Sequence, residues 1–186
     1  MNLKIAALGL ILAASAGSAQ TPPAPDDIAS RIISTPAPSA FRLDGTLGRG
    51  SVRRDPAVQG GKAMRVQVPG RSEQPWSVAL SVPITGAVRS GDLLVLAFWA
   101  RLERGEGGAT TAQLPYNAVQ MAGAPYTAVF TGPATIGPEW RMHEIRGRAS
   151  RDYAAGELNV AIHLATARQT VDIGPVFVLN MGAPAR

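Results

Sequence analysis

Leu93-Leu-Val-Leu-Ala-Phe-Trp-Ala-Arg101 follows the turn signal Ser90-Gly91-Asp92 and stops at a charge. A continuous apolar run of this length between turn residues reads as a strand buried on both faces. The loop Glu103-Arg-Gly-Glu-Gly-Gly108 closes it. Working outward, Ala63-Met-Arg-Val-Gln-Val68 alternates with period two and ends at Pro69-Gly70, and Trp76-Ser-Val-Ala-Leu-Ser-Val82 alternates and ends at Pro83. Further strands are expected over 111–116, 126–131, 140–148, 157–165 and 170–179. No segment of a dozen residues carries a clean helical period. About nine short strands punctuated by Gly, Pro and Asp predict an all-β fold, a jelly-roll β-sandwich.

Composition agrees. The chain has 186 residues, 46% hydrophobic and 17% charged, with 20 Gly and 15 Pro. It is too apolar for disorder and too rich in helix breakers for a bundle, and its length suits one domain. With no Cys, disulfide scaffolds, thiol catalysis and thiolate metal sites are excluded, and two His leave little for a histidine metal centre. The formal charge of +5 comes mostly from Arg. Arg49, Arg53 and Arg54 form the densest group, then Arg141, Arg146, Arg148 and Arg151. Neither group is interleaved with stacking aromatics, so nucleic acid is not an expected partner.

Residues 1–19 read as a signal peptide: Lys4, an apolar run from Ile5 to Ala14, then small residues to Ala19. The run is shorter than the ~20 residues that span a bilayer. Cleavage after Ala19 makes Gln20 the mature start, with cleavage after Ala16 as the near alternative, and the expected location is a bacterial periplasm or the medium, with no membrane association after cleavage. Residues 20–38 carry Thr21-Pro-Pro-Ala-Pro25 and Thr35-Pro-Ala-Pro38 and read as a Pro-rich lead-in or linker. The sandwich is assigned to 39–182 and a tail to 183–186.

Three segments together carry a family likeness. Gly91-Asp-Leu-Leu-Val-Leu-Ala-Phe-Trp-Ala-Arg101, Pro138-Glu-Trp-Arg141 and Gln169-Thr-Val-Asp-Ile-Gly-Pro-Val-Phe-Val-Leu-Asn180 resemble, in order and spacing, motifs of CenC-like carbohydrate-binding modules, the grouping that joins families 4 and 9. The resemblance implies a jelly roll of the galactose-binding-like kind. It also implies polysaccharide or oligosaccharide as partner, glycoside hydrolases acting on the same glycan as companions, and a binding cleft across a concave sheet.

Sugar recognition needs flat apolar rings for pyranose faces and planar polar groups for hydroxyls. The chain has ten aromatics. Phe98 and Phe177, inside apolar strands, are expected in the core, and Trp99 in the core or between the sheets. Trp76 at a strand start and Tyr116 beside the expected loop 117–125 are the candidate stacking rings. In Glu157-Leu-Asn-Val-Ala-Ile-His-Leu-Ala165, alternation turns Leu158, Val160, Ile162 and Leu164 inward. Asn159 and His163 then share the other face across Ala161, and Gln113 is the candidate to join them. A structural role at the core's edge or a plain solvated face explains each of these residues as well.

Catalysis is not expected. Glu139 and Glu144 have opposite parity, whereas glycosidases need two carboxyl groups at a set separation. Ser150, His143 and Asp152 are neighbours in one segment without a nucleophile elbow. No cofactor is required. A structural calcium is the one metal the resemblance suggests, with Asp44 and Asp172 as donors, and an ordinary turn Asp and strand Asp explain them equally. The sequence thus reads as a secreted non-catalytic carbohydrate-binding module. The alternatives are a structural or protein-interaction sandwich that has lost sugar binding and, more weakly, a small exported glycan hydrolase.

Overall fold

Alternation along the strands gives each sheet one apolar face, and the two apolar faces close on each other. A computed structural model of the chain describes residues 25–183. After a short helix, Pro25–Ser30, come ten strands: β1 (Arg42–Asp44), β2 (Arg49–Arg54), β3 (Lys62–Val68), β4 (Ala79–Pro83), β5 (Leu93–Arg104), β6 (Ala112–Met121), β7 (Ala128–Ile136), β8 (Arg141–Arg148), β9 (Leu158–His163) and β10 (Gln169–Asn180). They form two five-stranded sheets, β1-β4-β9-β6-β7 and β2-β3-β10-β5-β8, with antiparallel pairing throughout. The chain crosses repeatedly between them, as a jelly roll requires. Leu80, Leu96, Phe98, Ile162 and Ile173 are fully buried between the sheets. Every residue from 94 to 98 is buried, so the continuous apolar run of β5 is covered on both sides.

Several boundaries differ from the sequence reading, each for a local reason. Pro75–Ser77 is a 3-10 turn, which proline at its start favours, so β4 begins only at Ala79. The segment 117–125 is not a loop throughout, because β6 runs on to Met121 through a bulge between Leu114 and Asn117. There the buried Asn117 side-chain amide donates to the carbonyls of Leu114 and Gly132, both at 2.9 Å, replacing interrupted ladder bonds. Phe177 is not core. An irregularity between Ile173 and Val176 puts Val176 and Val178 inside and leaves Phe177 half-buried on the outer face opposite Ala97. Trp99 also faces outward, its indole N–H donating to Gln59 Oε1 at 3.1 Å.

The lead-in needs a larger correction. Residues 31–36 are built into the sandwich. Ile32 bridges to Leu179 of β10, and Ser34 bridges to Ile84, just beyond β4. Ser34 Oγ accepts from Val178 N at 2.9 Å and donates to Val176 O at 3.1 Å, while Thr35 N donates to Pro83 O at 3.1 Å. This segment therefore straps one sheet to the other through backbone groups, which a Pro-rich composition neither favours nor forbids. The segment read as a signal peptide lies outside the described residues.

Candidate functional site

Because Leu158, Val160 and Ile162 of β9 enter the core, Asn159, Ala161 and His163 face outward. Pairing extends that face into rows across neighbouring strands. Ser81, Ala161 and Ala118 form one row from β4 to β6, and Pro83, Asn159 and Gln120 form the next. The small middle row is buried although it points away from the core, because taller side chains flank it. On its far side Ala79 pairs with His163, and the Tyr116 ring stacks on the imidazole, centroids 4.2 Å apart and planes 16° apart. The Tyr116 hydroxyl reaches along β6, past Ala118, to donate to Gln120 Oε1 at 3.0 Å. Trp76, on the 3-10 turn before β4, lies 6.1 Å from His163 at 56° and is 54% exposed.

This face is electrically quiet. Burial lowers the His163 pKa to about 4 and raises that of Tyr116, so both rings are neutral near pH 7. Asp44, on edge strand β1, is occupied by Arg42 at 2.8 Å and by the Ser81 hydroxyl. Asn159 is only 9% exposed, and its Oδ1 has no hydrogen-bond partner. Chemically, the surface offers an exposed indole, a stacked ring pair and side-chain amides beside a small-residue floor.

The structure thus brings Trp76, Tyr116 and His163 together and sets Asn159 two residues along the same face. Gln113 does not join them. It opens β6, accepts from Thr135 Oγ1 at 2.9 Å, and lines a depression at the end of the sandwich. Gln120 and Ser81 belong to the face and were missed by the sequence reading. Parity from Tyr116 points to Gln120, but only once β6 is known to continue past residue 116.

The structure does not bring Asp44 and Asp172 together. They lie on different sheets, and Asp172 is fully buried on the outer side of β10. Both its oxygens accept from guanidinium groups: Arg65 at 2.7 and 2.8 Å, and Arg101 at 3.0 Å. Burial pushes its pKa up, but the hydrogen bonds and charges of Arg65 and Arg101 outweigh this and hold it below the ordinary value. Two arginines, not a cation, neutralise this carboxylate. No group of three or more His, Cys, Asp or Glu among the described residues is arranged to hold a metal. Nor do Ser150, His143 and Asp152 converge as a triad. His143 turns toward Phe98, ring centroids 5.4 Å apart, and Asp152 accepts from Ser90 N.

No family model and no curated protein matches the sequence. Solved structures do match. One described as "CBM4 structure and function" superposes with a TM-score of 0.57 at 22% identity, covering 77% of this chain and 96% of that one. The second N-terminal cellulose-binding domain of Cellulomonas fimi β-1,4-glucanase C gives 0.55 at 22% identity, covering 78% and 86%. The CBM22-1 xylan-binding domain of Paenibacillus barcinonensis Xyn10C gives 0.53 at 13%, covering 83% and 94%. The fold is the jelly-roll sandwich that these solved domains share. In this module-like sandwich the three family-like segments meet around Arg101, which ion-pairs with Asp172 and lies 5.1 Å from the Trp140 ring centroid. Those segments hold the scaffold on the sheet opposite to the aromatic face.

Proposed function

We propose that the chain is a non-catalytic carbohydrate-binding module that takes a polysaccharide across the outer face of the sheet β1-β4-β9-β6-β7. The observation that carries this reading is the exposed Trp76 ring beside the neutral Tyr116–His163 stack, bordering a row of small residues. Pyranose C–H faces pack on such rings, and the amides of Asn159 and Gln120 suit sugar hydroxyls. The fold shared with cellulose- and xylan-binding domains supports the same reading. The protein is exported by the segment 1–19 and works beside glycoside hydrolases acting on the same glycan.

Affinity electrophoresis through gels containing soluble xylan or a mixed-linkage β-glucan tests the proposal. The protein is retarded and releases no reducing sugar. Trp76→Ala abolishes retardation and keeps the β-sheet circular dichroism, because an exposed ring contributes to the complex and little to the fold. Absence of retardation across a broad neutral and acidic polysaccharide panel overturns the reading in favour of an interaction sandwich, and sugar release overturns its non-catalytic part. N-terminal sequencing of exported protein begins at Gln20, and retention of Met1 overturns the export assignment.

A further inference from the structure

At one end of the sandwich the β3–β4, β5–β6 and β9–β10 connections enclose a depression of 440 Å³. A second, of 710 Å³, adjoins it and shares Gly105, Glu106 and Gln169 as walls. Four arginines line the pair: Arg71 in the first, and Arg49, Arg104 and Arg168 in the second. All four are exposed, and none has an ion-pair or hydrogen-bond partner among the described residues. Elsewhere Arg42, Arg65, Arg101, Arg146 and Arg151 each hold a carboxylate within 3.2 Å, while Arg53, Arg54, Arg89, Arg141 and Arg148 hold none and line neither depression. Glu106 is the one acid lining either depression. Unpaired guanidiniums around a concave site repel one another and are stabilised by an incoming anion, and their planar forks match a carboxylate.

Two further facts identify the anion's chemistry. The first depression is lined by Pro75 and Pro115, the residues immediately before Trp76 and Tyr116, so it adjoins the two segments that carry those rings. Its walls also carry the polar side chains of Thr111, Gln113, Thr166 and Gln169, which suit hydroxyl-rich ligands. Gln169 is held from below by donating to Leu164 O at 2.8 Å and Thr166 Oγ1 at 3.1 Å.

From the unpaired arginines and these adjoining segments we infer that the end depressions form an acidic-sugar subsite. A glycan lying over Trp76 and Tyr116 places a uronate carboxylate among Arg71, Arg104 and Arg168. The inference rests on the proposed carbohydrate function and specifies its ligand as a polysaccharide bearing uronic acids.

The test compares three probes in low-salt affinity gels or calorimetry: unsubstituted xylan, glucuronoxylan, and glucuronoxylan with its carboxyl groups reduced to alcohols. Glucuronoxylan binds about tenfold more tightly than its reduced form, and the difference shrinks as salt is raised. Arg71→Ala combined with Arg168→Ala removes the preference and keeps binding to unsubstituted xylan. Both substitutions are on exposed residues, and circular dichroism confirms an intact fold. Equal binding of all three probes overturns the subsite and leaves the general carbohydrate reading standing. Binding of none overturns both. A preference that survives the double substitution overturns the location. Equal competition by oligothymidylate or dextran sulfate overturns the sugar assignment in favour of a general polyanion patch.

Discussion

The Asn180 side-chain amide donates to Asp92 Oδ2 over 2.7 Å, joining the end of β10 to the turn that launches β5. Asp92 is buried and also accepts from Arg89 N at 2.9 Å, while Asn180 Oδ1 accepts from Gly182 N at 2.9 Å. The pair locks the start of one central strand to the finish of its neighbour. Replacing Asn180 by Ala leaves a buried carboxylate short of a donor and costs about 1–3 kcal/mol. Asn180→Asp costs more, because two carboxylates then face each other. Adding Asp92→Asn exchanges donor and acceptor and recovers most of the loss. Urea unfolding of the two single variants and the double variant closes this cycle.

Asp172→Asn removes the charge that Arg65 and Arg101 surround on the outer side of β10. Breaking a buried ion pair from one side costs about 3–5 kcal/mol. The expected result is a large fall in Tm that calcium does not reverse. Calcium rescue of the wild-type protein after chelation would contradict the two-arginine account.

His163 gives the stability a pH dependence of known sign. Its pKa is about 4 in the folded chain, against about 6.5 for an unperturbed imidazole. Between those values the unfolded chain binds a proton that the folded chain does not. The His163 contribution is therefore complete above pH 6.5, falls as pH drops toward 4, and changes little below that. The half-buried His143, also lowered by burial and by Arg141, adds loss in the same direction. Urea midpoints measured from pH 7.5 to 4 fall for the wild type and fall less steeply for His163→Asn.

Ser34→Ala tests the strap between the sheets. The hydroxyl both accepts from Val178 N and donates to Val176 O in a buried setting. Its loss leaves a buried backbone donor and acceptor short of their partner and costs about 1–3 kcal/mol. A linker serine would change nothing, so an unchanged Tm would return residues 31–36 to that role.

What the sequence revealed follows from which interactions are local. The apolar run 93–100 declares two-sided burial unaided, and alternation in 157–165 turns Asn159 and His163 to one face. The bulge between Leu114 and Asn117 was hidden, because it depends on a partner strand, and with it went the link from Tyr116 to Gln120. Asp172 resembled a cation ligand until pairing placed it opposite Arg65 on β3 and Arg101 on β5. The strap at 31–36 works mainly through main-chain groups, which no side-chain pattern announces. The arginines that line the end depressions, Arg49, Arg71, Arg104 and Arg168, are scattered along the chain and are brought to one end of the sandwich only by the fold.

The strap also sets an order of events during synthesis. Ser34 is 144 residues from Val178, to which it is tied, so its seat does not exist until the last strand has been made. At ~5–20 residues per second, a nascent chain waits on the order of ten seconds between exposing residue 34 and supplying its partner. Throughout that interval β10, the strand on which β3 and β5 both pair, is absent, and the second sheet has no centre. The strap and the second sheet therefore wait for the same late segment, and both are completed in one step when β10 arrives.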